Sequence, residues 1–156
     1  MKWREALYED LFLMEPLQLS QCDQDLRDGV PDTQEVREKL WRFARSWTDD
    51  DSRVLAIIGV AVPWKGVGQA WALISQEALK HPVALTLGAR RWIAWVIDQE
   101  CLWRVQADVE RDHAAGRRWL EFMGFEYEGT LRAYGPSAAD HELWARLEER
   151  WLPPLR

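Results

Sequence analysis

Residues 109–132 constrain the fold more than any other stretch of the chain. They read as a strand ending at Val109, a helix from about residue 113 to 123, a glycine stop at Gly124, and a new strand opening at Phe125. A glycine just past a helix adopts the left-handed backbone that ends it, and the aromatic that follows can enter the core. Taken with the order of strands and helices along the rest of the chain, this unit points to an α/β architecture.

The rest of the pattern extends that unit. Lys2 to Ala6 is a short candidate strand, with a turn or helix start at Tyr8, Glu9 and Asp10, while residues 17–32 carry no assignable period. Residues 33–47 place Val36, Leu40, Phe43, Ala44 and Trp47 at helical spacing behind Thr33 as N-cap, so a helix is predicted over the whole stretch. Asp49, Asp50, Asp51 and Ser52 read as a turn. Residues 53–64 and 69–75, rich in Val, Ile, Ala and Trp, flank the turn at residues 65–68 and predict a hairpin. A helix is expected over residues 86–100, a strand over 101–109, a strand over 125–134, a turn at 135–137 and a last strand over 142–147.

The 156 residues suit one domain, placed at residues 1–150 with a short tail at 151–156. The tail, with Trp151, Leu152, Pro153, Pro154 and Leu155, either docks on a partner or folds back, and a homodimer is one expectation from it. No apolar run is long enough to span a membrane. Residues 1–16 carry acids where a signal peptide needs an apolar core, so a cytoplasmic location is expected. A net charge of −6 argues against non-specific nucleic-acid binding. The 11 tryptophans, among them Trp41, Trp47, Trp92, Trp95 and Trp119, read as core packing, with a base-stacking surface as the alternative. Cys22 and Cys101 lie far apart without metal-ligand spacing, and no metal site is expected.

Residue by residue, 109–132 resembles the pattern V-x3-N-x2-A-x7-GF-x2-EG-x-LR of the GNAT N-acetyltransferases. Gly124-Phe125 and Glu128-Gly129 match outright, whereas His113 stands for Asn, Gly116 for Ala, and Leu120 for a frequent Tyr. The resemblance implies a mixed, mostly antiparallel twisted sheet of about six to seven strands, flanked by about four helices, with strands 4 and 5 splayed. It also implies acetyl-CoA or another acyl-CoA as co-substrate and an amine-bearing acceptor attacked without a covalent intermediate. The family holds the CoA pyrophosphate on backbone amides of a glycine-rich loop after strand 4. Residues 83–88 correspond, with Val83 and Thr86 replacing the usual residues and Gly88 kept. The cofactor residues carried over are Leu73 and Ser75 on strand 4, then Thr86, Leu87, Gly88, Ala89 and Arg90, and His113 and Gly116 on the later helix. Arg90 and Arg91 either contact phosphate or sit on a solvated face; His113 either contacts the cofactor or caps its helix.

Asp108 is the carboxylate carried over as catalytic base, the alternative being an ordinary strand-end acid; Glu77 and His81 are weaker candidates. Leu120 cannot donate a proton as the Tyr would. The arrangement is also loosely similar to small phage-encoded GNAT proteins of the internal virion protein A type. A GNAT-fold protein that has lost catalysis and serves as a binding or structural component is therefore the second reading.

Overall fold

The computed structural model describes residues 1–14, 33–135 and 137–154. Seven strands form one sheet: β1 (Lys2–Glu5), β2 (Ala44–Thr48), β3 (Val54–Trp64), β4 (Val67–Ile74), β5 (Arg104–Glu110), β6 (Glu126–Leu131) and β7 (His141–Leu147). Among the described residues four α-helices accompany it: α1 (Asp10–Leu13), α2 (Gln34–Trp41), α3 (Pro82–Glu100) and α4 (Ala114–Phe122). The spatial order is β1-β2-β3-β4-β5-β7-β6, and every neighbouring pair is antiparallel except β4 and β5. Among the described residues no helix is long and apolar enough to cross a membrane.

The helices divide between the two faces. Alternation along the strands sends Ile58, Val60, Val105, Ala107 and Trp144 to one face, where they meet Ala89, Ile93, Val96 and Ile97 of α3, Leu120 of α4 and Met123 at its C-terminal cap. Ile57 and Leu73, register partners on β3 and β4, face the other way and pack with Met14, Ala44 and Trp41 beside α1 and α2. Below α1 lies a buried polar knot. Asp10 accepts both guanidinium nitrogens of Arg4 (2.6 and 2.7 Å), the Leu7 amide (2.9 Å) and the Ser46 hydroxyl (2.7 Å).

Several sequence expectations hold closely. Asp49 binds the amides of Asp51 and Arg53 and closes the turn before β3. Gly124, at φ +86°, ends α4, and Phe125 is 3% exposed in the core. Trp151, in a short 3-10 turn over Glu149–Trp151, packs against the main core, while Leu152, Pro153 and Pro154 are exposed.

Two expectations are corrected. The helix predicted over residues 33–47 stops at Trp41, and Ala44–Thr48 is a strand. β2 lies between β1 and β3 with both faces covered; Trp47 stacks on Trp3 at 5.8 Å while Ser46 meets Asp10. A strand buried on both sides shows no period of two, so a helical reading goes uncontested. The other correction is the start of α3, at Pro82 rather than residue 86. Proline suits a first helical turn, where its missing N–H has no partner to lose. Residues 17–32 and the end of the tail at 155–156 lie outside the described residues.

Candidate active site at the parting of β4 and β5

The two parallel strands at the centre of the sheet stay together only briefly. β4 and β5 pair at Val67–Arg104, Gly68–Val105 and Gln69–Gln106, after which β4 runs on to Ile74 and β5 to Glu110 unpaired with each other. The Ser75 amide donates to the Leu55 carbonyl across β3. By the alternation of an antiparallel ladder, Leu73 therefore also turns its backbone groups to β3, and Ala72 and Ile74 turn theirs to the gap. Leu73 and Ser75, expected to line the cofactor, instead have their amides in the β3 ladder; the Leu73 side chain is 4% exposed in the core under α1. The Ser75 hydroxyl accepts from the Ala78 amide at 3.2 Å.

Asp108 stands just past the last paired residue, on the sheet face that carries α1 and α2. A hydrogen-bonded chain runs to it along that face. Arg104, which pairs with Glu128, donates from Nε to Gln106 Oε1 (2.8 Å). Gln106 Nε2 donates to Gln69 Oε1 (3.0 Å), and Gln69 Nε2 donates to Asp108 Oδ1 (3.1 Å). The other carboxylate oxygen lies 2.8 Å from Nδ1 of His141, the first residue of β7, whose side chain is 8% exposed. Tyr134 packs its ring 5.4 Å from the imidazole. The Asp108 charge, then burial, raise the Tyr134 hydroxyl above its usual pKa, so it stays a donor at neutral pH. Beyond the strand end, Glu110, Arg111, Asp112 and Asp140 line an open concavity. Its three carboxylates against one guanidinium, 3.9 Å from Asp140, leave it net negative.

The expected glycine-rich loop is absent. Residues 83–88 form the first turns of α3, so the amides of Thr86, Leu87, Gly88, Ala89 and Arg90 belong to the helical ladder rather than to a phosphate cradle. Their side chains have other work: Thr86 Oγ1 accepts from Trp119 Nε1 of α4 at 3.0 Å, Ala89 is buried, and Gly88 lies under the Trp3 indole. The unbonded amides of this helix start are those of Val83 and Ala84, since Pro82 has none and Leu85 donates to the His81 carbonyl. His113 precedes α4 without a side-chain capping bond. Its ring leans over Gly116, where a methyl group would come 2.6 Å from Nδ1 and 2.8 Å from Val109. The larger residue at 113 thus accompanies the smaller one at 116. His81 meets the edge of Trp47, and Glu77 bonds Lys80 at 2.6 Å. That bond holds the Glu77 carboxyl below its usual pKa, the wrong direction for a base.

The chain matches solved structures of acetyltransferases along almost its whole length. A GNAT-family acetyltransferase from Bacillus anthracis aligns at TM-score 0.71 and 16% identity, over 94% of each chain. The fold is the GNAT fold. The ribosomal-protein-S5-alanine acetyltransferase of Vibrio fischeri aligns at TM-score 0.69 and 15% identity, over 97% of this chain and 94% of that one. A mutant of the spermidine N-acetyltransferase SpeG of Vibrio cholerae aligns at TM-score 0.68 and 12% identity, over 97% and 98%. No protein-family model and no curated protein sequence matches the chain.

Asp108 lies on β5 beside the parting from β4, and Leu120 is buried with no polar group to offer. Gln69, Tyr134 and His141 are the additions. Sequence reasoning passed over them because a single His or Gln carries no spacing signal. They become neighbours only through the register of β7 on β5 and of β5 on β4.

Proposed function

We propose that the protein transfers an acetyl group from acetyl-CoA, or another acyl-CoA, to a primary amine by direct attack. The observation that carries this reading is the Asp108–His141 pair standing at the opening between β4 and β5 in a GNAT frame. The bound thioester would supply the electrophilic carbonyl. This chain's residues do the remainder: the backbone groups of Ala72 and Ile74 face the gap, and the amides of Val83 and Ala84 take the anion-binding role first assigned to residues 86–90. Arg90 and Arg91, exposed on α3, add positive charge on that helix. In the reaction the amine nitrogen forms a bond to the carbonyl carbon, the C–S bond breaks, the thiolate leaves with its electron pair, and the pair at Asp108 receives the amine proton. A thiolate leaves without full protonation at neutral pH, so Leu120 in place of an acid is compatible with turnover. The acidic concavity by Glu110, Asp112 and Asp140 favours a cationic acceptor, such as a polyamine or a basic peptide terminus.

A second reading is favoured by the closed helical backbone at residues 86–89 and by buried Leu120: a GNAT-fold binding or structural component without turnover, in line with the loose similarity to small phage-encoded GNAT proteins. Calorimetric titration with acetyl-CoA, with free CoA and ATP as controls, separates the two. Micromolar affinity for acetyl-CoA, above that for ATP, is the expected result. No heat at millimolar ligand would leave the second reading.

A further inference from the structure

The hydrogen-bonded chain along β5 has a direction, and that direction fixes a tautomer. A guanidinium only donates, so Gln106 must present its oxygen to Arg104 and its amide nitrogen to Gln69; Gln69 must then present its own nitrogen to Asp108. An ionised carboxylate only accepts, so its second oxygen receives the proton of His141 Nδ1. The imidazole Nε2 is left with a lone pair. It points to Gly135, where an added methyl group would lie 2.6 Å away, so only a residue without a side chain leaves room beside this nitrogen. Both oxygens of Asp108 are occupied by donors, whereas Nε2 has no bond among the described residues.

We propose that His141, through Nε2, takes the proton from the acceptor amine, and that Asp108 is a positioning residue that holds the ring in this tautomer. The proposal rests on the acyl-transfer reading. As the C–N bond forms and the C–S bond breaks, the amine proton passes to Nε2; the imidazolium then yields it to the departing thiolate or to solvent, restoring the starting state. The groups around the ring suit a cation formed during turnover. Asp108 and Glu110 face it from β5, Leu131 pairs with it from β6, and Tyr134 packs on it from the β6–β7 connection. Arg111, the nearest guanidinium along the chain from Glu110, is turned to Asp140.

The test uses the full chain, acetyl-CoA, a panel of primary amines including polyamines, and thiol release as the readout. His141→Gln is expected to lower kcat by about 10²-fold or more. Gly135→Ala, which alters neither Asp108 nor His141 and places a methyl group against Nε2 so that the ring must give way, is expected to do the same, and the far-ultraviolet spectra and urea midpoints of both variants guard against a folding defect. Asp108→Asn is expected to reverse the tautomer, because its oxygen must still accept from Gln69 and its amide then faces Nδ1. ¹⁵N resonances of His141 should show Nδ1–H in the wild-type protein and Nε2–H in the variant, with kcat lowered and KM for acetyl-CoA unchanged. Wild-type turnover that survives both His141→Gln and Gly135→Ala overturns the role of His141 and leaves acyl transfer standing. A wild-type protein that binds no acetyl-CoA and releases no thiol overturns the reading beneath it as well.

Discussion

Asp10→Ala is expected to remove about 1–3 kcal/mol of folding stability, read as a lower urea midpoint at unchanged slope. Asp10 is 0% exposed, and its carboxylate accepts from two guanidinium nitrogens, an amide and a hydroxyl. Truncation would leave the Leu7 amide and buried Ser46 without their acceptor and Arg4 with only the Glu5 carbonyl, and would loosen α1 from β1 and β2 together. The same knot predicts an acid transition. Burial opposes the charge on Asp10, but the bonds from Arg4, Leu7 and Ser46 outweigh it and hold the carboxyl below its usual pKa. A depressed folded-state pKa contributes stability that is fully present above the unfolded value of about 4 and is lost as pH falls through the folded one. Urea midpoints measured between about pH 5 and pH 2 should therefore fall more steeply for the wild-type protein than for Asp10→Ala.

The second large effect is expected at Gly88. Substitution by valine would push a side chain into the Trp3 indole, which lies where the Cβ would be, and Trp3 is itself stacked on buried Trp47. Trp3 is half-buried and backed by buried Trp47, so overpacking should cost about 1–3 kcal/mol, with a changed near-ultraviolet tryptophan signal. Unchanged stability in Gly88→Val would mean that α3 stands off the sheet here. The result also bears on ligand binding: a Gly88 variant that binds acetyl-CoA poorly would report a displaced helix, since the Gly88 amide is already inside the helical ladder.

What could be read in the sequence was local. Gly124 and Phe125 announced themselves because the left-handed stop and the buried aromatic are properties of adjacent residues, and the β3–β4 hairpin did so for the same reason. Asp108 could be placed because the motif spacing runs directly into it. β2 escaped because Trp47 and Ser46 are both buried on opposite faces, and burial on two sides erases the alternation that marks a strand. The start of α3 was misplaced by analogy: a glycine retained at position 88 suggested a loop, while Pro82 six residues earlier carried the physical signal. His141 could not have been found without the pairing of β7 on β5, a contact across more than thirty residues that leaves no periodic trace.

The early separation of β4 from β5 also shapes how this protein can tolerate change. The groups that line the opening at Ala72 and Ile74 belong to the peptide backbone, so an alanine substitution at Ile74 would leave them intact and report nothing about any contact that they make. Side-chain drift can proceed there without closing the cleft, which fits neighbours that share the architecture at 12–16% identity. Interrogating such a lining calls for editing the main chain itself, by replacing single amides with esters in a semisynthetic chain, so that a donor disappears while every residue keeps its shape.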